Sequence, residues 1–314
     1  MSVQASPFDD LIDKARTQGF ISAILAVLRI VLRNRAYFLN PYARRHSKLP
    51  ARNDAAICAG FQSLGVALIP YTIDLDDFHR WLEAARFPES FVEACVDCQD
   101  LWSELFMEKA LEYYVSASLL GLNETDTLLD VGASYSPWHT MAERIYGCAG
   151  YALDRKFTPG VRGREIGADA TNIPLPNGFA TKIALHSAYE QFEGTADIRF
   201  LSEAHRVLRD SGKMVILPLW MDNSYYALVY PFADTRGLDC DGAKVVWDDH
   251  RWPIRFERFY SVEAFNERVI QNLSGFTLTI FYFQNAHEIA PNLIWPKYYL
   301  RFAALCEKVS VANE

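Results

Sequence analysis

The sequence predicts a doubly wound α/β fold, in which a mostly parallel sheet carries helices on both faces. From Thr127 onward, apolar runs of strand length alternate with amphipathic runs of helical length. This alternation is typical of βαβ units. Polar residues directly follow several of the apolar runs, where such sheets bind ligands. The chain has 314 residues, half of them hydrophobic, and is long enough to bury a large core.

The first third of the chain, residues 1–102, is predicted to form a mainly helical cap. Apolar residues recur at helical spacing between Phe20 and Leu32, which indicates an amphipathic helix. A short extended segment follows at Val66–Ile73. Asp74 is then placed to cap the next helix with its carboxylate.

Residues 103–314 are predicted to form the main α/β domain, with an insertion near residues 220–259. Gly121 ends its first helix, and Ser136 with Pro137 begins the helix after the first strand. In order, the predicted elements are a helix at Ser103–Leu120, strands at Leu128–Val131, Tyr151–Asp154 and Lys182–His186, a helix at Ala196–Leu208, a turn at Asp210–Gly212, a strand at Met214–Leu217, a helix at Tyr260–Ile270 and a β-rich run at Phe276–Phe283.

Composition and targeting signals narrow the class of protein. A formal net charge of −8 argues against a protein that wraps nucleic acid. Six cysteines do not make a disulfide scaffold in a chain of this length, and Cys95 with Cys98 lacks a second pair of ligands, so no metal site is predicted. No signal peptide is evident, and Arg29 interrupts the apolar run Phe20–Leu32. The sequence therefore predicts a cytoplasmic protein.

The amino-terminal charge leaves two interpretations open. From Lys14 to Arg52 there are nine Lys or Arg and no Asp or Glu. Because Arg29 and Arg33 lie off the apolar stripe, the predicted helix is amphipathic and basic. It either docks on the protein's own surface or in a dimer, or lies peripherally on the anionic inner face of a membrane. The oligomeric state is not predicted.

Five stretches follow one another between about residue 127 and residue 217. They are Leu129–Ser134, Tyr151–Asp154, Gly167–Phe179, Ala184–Glu193 and Glu203–Gly212. In order and spacing they resemble the motifs of class I S-adenosylmethionine (SAM)-dependent methyltransferases. The resemblance implies a Rossmann-like, mostly parallel sheet of seven strands and SAM as the cofactor.

The resemblance also assigns contacts with SAM. Asp154 would accept hydrogen bonds from the ribose hydroxyls, and Asp169 would accept one from the adenine amino group. Gly132 would let the backbone pass close to the cofactor, and Asp130 would face the methionine part. The predicted cofactor-binding residues are Asp130, Gly132, Ala133, Ser134, Asp154, Asp169, Ala170, His186 and Ser187.

Transfer of a methyl group to a hydroxyl oxygen needs a base, and His186 is the first candidate, with Glu190 as the second. Two departures from the motifs motivate an alternative. Serines, Ser134 among them, replace the later glycines of the first motif, and Gln191 stands where the family has His. The alternative is therefore a catalytically silent binding or regulatory protein. A dehydrogenase is disfavoured, because no G-x-G-x-x-G follows the first strand.

The stretch from Trp220 to Phe259 is the predicted lid over the acceptor. Aromatic faces beside Arg and Asp suit a sugar ring or an anionic small molecule. Its predicted substrate-binding residues are Trp247, His250, Arg251, Arg255 and Arg258. The acceptor is thus predicted to be a small molecule or a glycan, and the string Leu185–Glu193 most resembles bacterial methyltransferases associated with surface-polysaccharide synthesis.

Overall fold

The computed structural model describes residues 52–87, 106–134, 136–231, 233–248, 254–286 and 300–310, together with the helical positions 24, 25, 28, 31 and 32. The chain divides into two compact units. The larger unit comprises Arg52–Asn223 and Tyr260–Glu314. The smaller unit comprises Met1–Ala51 and Ser224–Phe259.

The described elements are six α-helices and eleven strands. In chain order they are α1 (Asp54–Ser63), β1 (Ala67–Tyr71), α2 (Leu75–Ala85), α3 (Phe106–Leu120), β2 (Thr127–Val131), α4 (Trp138–Tyr146), β3 (Ala149–Arg162), β4 (Glu165–Gly167), β5 (Ala180–His186), α5 (Ala196–Val207), β6 (Leu208–Leu217), β7 (Tyr226–Val229), β8 (Lys244–Trp247), β9 (Phe256–Phe259), α6 (Val262–Arg268), β10 (Phe276–Phe283) and β11 (Phe302–Lys308).

The larger unit is built on one sheet with the strand order β1-β10-β11-β6-β5-β2-β3-β4. Every neighbouring pair is parallel except the two pairs that β11 makes, with β10 and with β6. The chain runs from β2 outward to β4 and then returns to place β5 on the other side of β2. Strand order therefore reverses between β2 and β5, which is where doubly wound folds bind ligands.

Helices cover both faces of this sheet. On one face, α2, α3 and α4 share a core with strand residues such as Leu128, Val215 and Ala303. On the other face, Phe302 packs against Phe61 of α1 with ring centroids 6.4 Å apart. Phe302 and Ala303 are successive residues of β11, so their side chains point to opposite faces. The predicted doubly wound α/β fold is confirmed.

Local signals set several of the helix boundaries as the sequence predicts. Asp74 caps α2, because its carboxylate accepts the Asp77 amide at 2.9 Å. Gly121 ends α3 in the left-handed region with φ of +63°. The start of α4 differs from the prediction, in which Ser136 with Pro137 begins the helix. Pro137 directly precedes the helix, and the Ser136 hydroxyl accepts the Trp138 amide at 3.2 Å.

The sheet has eight strands rather than the predicted seven. The additional strand is β1, which lies at the edge of the sheet parallel to β10. It comes from Val66–Ile73, the extended segment of the predicted cap. Short apolar runs do not reveal their partner in the sequence, so the pairing with a strand some 200 residues later in the chain was not predictable.

Two strands are also longer than predicted. β3 continues to Arg162 rather than ending at Asp154, although its regular pairing with β4 ends there and register shifts follow. β6 begins at Leu208, directly after α5, and the turn predicted at Asp210–Gly212 appears inside it as an irregularity, because Ser211 has a left-handed φ of +61° and the pairing with β5 jumps from Leu208 to Lys213. The added end of β3 and the start of β6 are mostly exposed and carry polar residues, a pattern that is typical of loops.

The smaller unit contains a three-stranded sheet in the order β8-β7-β9. β7 is parallel to β8 and antiparallel to β9. Ala227, Val229, Ala243 and Phe256 form its buried apolar cluster. The segment predicted as an insertion thus has a sheet of its own, and its role as a lid stays a prediction. None of the described helices has the length and hydropathy that crossing a bilayer requires.

Candidate functional site

The residues predicted at the strand ends lie along one edge of the larger unit's sheet. β2, the segment of β3 that ends at Asp154, β4 and β5 run parallel to one another, so the carboxyl ends of these segments share that edge. Gly132–Ser134 follows β2, Asp169 lies just beyond β4, and His186 is the last residue of β5. The structure therefore brings these residues to the switch point between β2 and β5.

The loop after β2 is held by the end of β3. The amides of Gly132 and Ala133 donate to the Leu153 carbonyl at 2.8 and 3.1 Å. Ser134, at a left-handed φ of +43°, donates its amide to Asp154 Oδ2 at 2.9 Å. Asp154 thus fixes the loop that the first motif predicts to contact the cofactor.

The Asp154 carboxylate keeps further capacity to bind. Its Oδ1 accepts the Lys156 amide at 2.8 Å, and the Lys156 ammonium donates to Ser134 Oγ at 2.8 Å. A carboxylate has about four acceptor positions, so positions remain on both oxygens. The half-buried Asp154 can therefore accept from a ligand without releasing the loop.

Gly132 has a reason to be glycine inside the protein itself. Its φ is +74°, and a β-carbon added there would lie 2.6 Å from Ala188 Cβ. A β-carbon at Gly132 would collide with the loop after β5, and the close approach of Gly132 to a cofactor stays a prediction. The loops that follow β2 and β5 are therefore in direct contact at the switch point.

His186 is held against Asp130 in a buried cluster. His186 Nδ1 lies 3.4 Å from Asp130 Oδ1, and both side chains are 2% exposed. Ser136 Oγ donates to Asp130 Oδ2 at 3.2 Å and lies 2.7 Å from Tyr113 OH. A carboxylate facing Nδ1 favours the tautomer with its proton there, which leaves Nε2 as an acceptor.

Two aromatic rings form a wall beside His186. Tyr113 and Trp138 stack with centroids 5.0 Å apart, and His186 meets them edge-on at 5.0 and 5.7 Å. His186 Nε2 and Trp138 Nε1 are buried and have no hydrogen-bond partner among the described residues. Buried polar atoms normally have partners, so these two atoms keep unused hydrogen-bonding capacity beside Asp130.

A second polar cluster joins α3 to the loop after β5. Lys109 donates to Glu112 Oε2 at 2.7 Å and to Ser187 Oγ at 2.6 Å. Ser187 Oγ also lies 3.3 and 3.4 Å from the two carboxylate oxygens of Glu112. Ser187 has a left-handed φ of +50°, a conformation that non-glycine residues rarely adopt outside special sites.

The second candidate base lies in the same loop. Glu190 is 1% exposed and belongs to a short 3₁₀ turn, Tyr189–Gln191. The side-chain amide of Gln191 donates to the Ser187 carbonyl at 2.8 Å, and its nitrogen lies 3.5 Å from Glu190 Oε1. Gln191 thus holds the loop together, which is a structural task that does not require a histidine.

Asp169 forms a local turn beyond β4. Its Oδ1 accepts the amide and the hydroxyl of Thr171, both at 2.8 Å, and Arg155 Nη1 lies 3.7 Å from Oδ2. Partial burial opposes ionisation, but the Thr171 hydrogen bonds and the Arg155 charge lower the pKa of Asp169 below its usual value. Asp169 is therefore an anion and hydrogen-bond acceptor next to the buried Ala170.

The predicted acceptor residues belong to the smaller unit. Trp247 is the last residue of β8, and Arg258 lies fully buried in β9. Arg255 donates to the carbonyls of Asp234 and Arg236 at 2.8 and 2.9 Å. His250 and Arg251 lie outside the described residues. Contact of these five residues with an acceptor stays a prediction.

Sequence reasoning missed the contribution of α3. Its polar residues Glu108, Lys109, Glu112 and Ser116 recur at helical spacing, which predicts a solvent-exposed face. All four are buried in the structure. Nothing in the sequence signals this burial, because it results from packing against β5 and its loop.

Among the described residues, no group of His, Cys, Asp and Glu could hold a metal ion.

No family model matches the sequence, and no curated protein matches it. Among solved structures, the fold is similar to that of 1,6-didemethyltoxoflavin-N1-methyltransferase from Burkholderia thailandensis, with bound 1,6-didemethyltoxoflavin and S-adenosylhomocysteine. That chain is 15% identical, the match covers 74% of this chain and 90% of the other, and the TM-score is 0.42.

A second solved structure is geranyl diphosphate C-methyltransferase from Streptomyces coelicolor A3(2), in complex with Mg²⁺, geranyl diphosphate and S-adenosylhomocysteine. It is 13% identical, with 64% of this chain and 81% of the other covered and a TM-score of 0.40. The bound molecules are properties of those two proteins.

Proposed function

We propose that this chain binds SAM at the switch point between β2 and β5 and transfers its methyl group to a hydroxyl oxygen. One observation carries the proposal. Asp154 holds the loop Gly132–Ser134 through the Ser134 amide, directly beside the buried pair of Asp130 and His186. A cofactor-binding loop and a candidate base thus meet at the edge where doubly wound folds bind ligands.

The residues at this edge fit SAM. The free acceptor positions on Asp154 suit the two ribose hydroxyls, and Asp169 with the Ala170 amide suits the adenine edge. SAM carries positive charge on its sulfonium, which the surrounding carboxylates of Asp130 and Asp154 complement. The backbone amides of the β2 loop are already bonded to Leu153 and Asp154, so recognition falls mainly to side chains.

In the proposed mechanism, SAM supplies a methyl group that is already activated by its sulfonium. The chain must align an acceptor oxygen in line with that methyl group and remove its proton. Asp130 keeps the proton of His186 on Nδ1, so Nε2 can take the acceptor's proton as the new carbon–oxygen bond forms. Glu190 is the alternative base in the same loop.

The acceptor is proposed to be a small molecule or a glycan, with Trp247 and the arginines of the smaller unit as its binding residues. A link to surface-polysaccharide synthesis stays a prediction of the sequence resemblance. The rival function is a silent protein that binds SAM without turnover. Calorimetric titration with SAM tests the binding, and no heat of binding would overturn the proposal. Release of S-adenosylhomocysteine with phenols and sugars as acceptors tests turnover.

Replacement of Asp154 by alanine is expected to weaken SAM binding by about 1.5–3 kcal/mol, because charge-assisted hydrogen bonds to the ribose are lost. Titration calorimetry measures the change. Asp154→Asn keeps an acceptor for the Ser134 amide and is expected to weaken SAM binding less than Asp154→Ala does. Glu165→Ala, at the exposed start of β4, is the control and should leave the affinity unchanged. Equal affinities of Asp154→Ala and the wild type would remove Asp154 from the site.

We further propose that the amino-terminal helix contacts an anionic membrane surface. Its described apolar residues Ile24, Leu25, Leu28 and Leu32 are 43–69% exposed. They lie in the segment with nine basic and no acidic residues. An exposed apolar face in a segment rich in basic residues suits a headgroup layer that carries negative charge.

The chain is therefore expected to co-sediment with vesicles that contain phosphatidylserine. Binding should weaken as salt rises, because surface attraction is screened over about 8–10 Å at physiological ionic strength. Leu25→Asp with Leu28→Asp should abolish it, whereas Val309→Asp, at another exposed apolar position, should not. Equal sedimentation of the wild type, the Leu25/Leu28 double variant and Val309→Asp would contradict the membrane contact. If the double variant instead changed the oligomeric state of the protein, the apolar face would be assigned to a dimer.

A further inference from the structure

A buried ion pair on α3 holds charges of both signs beside the loop after β5. Lys109 and Glu112 lie 2.7 Å apart, with side chains only 7% and 1% exposed. Their neighbours Ala110, Leu111 and Val115 are apolar and buried. Removing two charges from water is costly, and an apolar pair of similar volume is often as stable or more stable in such a position. The pair therefore suggests a ligand that needs both charges.

The pair lies at the same switch point as the predicted cofactor loop. Lys109 contacts Ser187 Oγ, and Ser187 is the first residue after β5. The next residue, Ala188, is the one that a β-carbon on Gly132 would strike. Lys109 and Glu112 are thus one residue removed from the contact between the loops after β2 and β5.

The loop residue between them is fixed from several sides. The Ser187 amide donates to the Leu217 carbonyl at 3.0 Å, and its carbonyl accepts from Gln191 at 2.8 Å. Its hydroxyl meets both members of the ion pair. Because Ser187 is held so completely, Lys109 and Glu112 have a defined position relative to the site.

We infer that Lys109 and Glu112 bind the amino-acid end of SAM. Lys109 binds the α-carboxylate and Glu112 binds the α-ammonium. This inference rests on the proposed function. The end of SAM is a zwitterion, and a pre-formed pair of opposite charges matches it without leaving a net buried charge. Asp130, first assigned to the methionine part, holds His186 and Ser136 and in this arrangement complements the sulfonium rather than the amino-acid end.

In this arrangement the ion pair exchanges contacts when the ligand binds. The α-carboxylate of the ligand meets Lys109 and its α-ammonium meets Glu112. The two charges of the ligand and the two of the protein therefore alternate in sign. Both protein charges then gain a partner while keeping each other near. Lys156 is the other cation beside the β2 loop, but it is exposed and holds Ser134. Lys156 therefore belongs to the candidate cofactor loop, and Lys213 of β6, paired with Lys182 towards the amino-terminal end of β5, is the control.

Two ligands separate the amino-acid end from the rest of the cofactor. S-adenosylhomocysteine carries that end, whereas 5′-methylthioadenosine is the same adenosine thioether without it. Lys109→Met and Glu112→Gln are expected to weaken binding of S-adenosylhomocysteine by about 10- to 150-fold, the range for hydrogen bonds to charged groups. Binding of 5′-methylthioadenosine should change less than about threefold.

Controls define what each result means. Asp154→Ala should weaken both ligands alike, and Lys213→Met, away from the carboxyl ends of the strands, should affect neither. The double variant Lys109→Met/Glu112→Met should fold, because it leaves no unpaired buried charge, and should lose the preference for S-adenosylhomocysteine. Lys109→Arg retains the cation and should keep most of that preference.

The possible failures are distinguishable by calorimetry. If the wild-type protein bound neither ligand, the proposed function itself would fail. If it bound both, and the Lys109 and Glu112 variants weakened both equally or neither, the cofactor site would stand and this inference would be overturned. Thermal melting of the double variant confirms that its affinities are those of the folded protein.

Discussion

Replacement of His186 by alanine is expected to lower methyl transfer by about 10²–10⁴-fold and to leave SAM affinity nearly unchanged. The reason is geometric. Asp130 faces Nδ1 of His186, which leaves Nε2 as the acceptor of a proton. Nε2 is buried and has no partner within the described residues, so the hydroxyl of the acceptor can supply one.

The measurement is transfer of labelled methyl from SAM to whichever phenol or sugar the wild-type protein methylates. His205→Ala is the control, because His205 is partly buried at the opposite edge of the sheet, next to Gly275. Asp130→Asn should lose part of the turnover, since it disturbs the tautomer of His186. Full turnover by His186→Ala would make His186 a packing residue and move the role of base to Glu190.

The order of the strands explains why the sequence could group the candidate site residues at one edge of the sheet. In a parallel sheet, the carboxyl ends of neighbouring strand segments lie at the same edge, so Asp130, Asp154, Asp169 and His186, each at or near such an end, could be grouped without knowing any side-chain contact. Strand periodicity and the positions of polar residues carry that information locally. The hydrogen bond from Ser134 to Asp154 is a consequence of this shared edge.

The contribution of α3 could not be predicted in the same way. Lys109 and Glu112 precede β2 in the chain and have no place in the strand–loop pattern. Their spacing is that of a solvent-exposed face, and only the tertiary packing against Ser187 makes them buried. The pairing of β1 with β10 is likewise a long-range contact that short apolar runs do not encode.

The role of Asp197 also comes from tertiary contacts. The sequence places it in the first turn of α5, where an acidic residue is expected to stabilise a helix. In the structure it is fully buried and receives Arg268 Nε at 2.9 Å and Nη2 at 2.7 Å. Tyr260 OH adds a hydrogen bond at 2.8 Å. Arg268 also donates to the Gly194 carbonyl at 2.7 Å.

Asp197→Ala is therefore expected to reduce the free energy of unfolding by about 3–5 kcal/mol, because it leaves the guanidinium of Arg268 buried without its carboxylate. Urea denaturation measures the loss. Glu143→Ala is the matched control, since the Glu143–Arg164 pair is 43% exposed on both sides and should contribute at most about 1 kcal/mol. A loss below that of the control would mean that water or another acceptor replaces Asp197.

The same variant should also disturb the candidate site. Tyr189 OH donates to the Asp197 carbonyl at 3.2 Å, and Arg268 holds Gly194, so this cluster anchors both ends of the segment that carries Glu190. Asp197→Ala/Arg268→Met removes both charges and is expected to recover much of the stability, because no unpaired ion remains buried. If stability returned but SAM-dependent turnover did not, the role of the Asp197–Arg268 ion pair would be to position the segment that carries Glu190. Recovery of both would make it a purely structural contact.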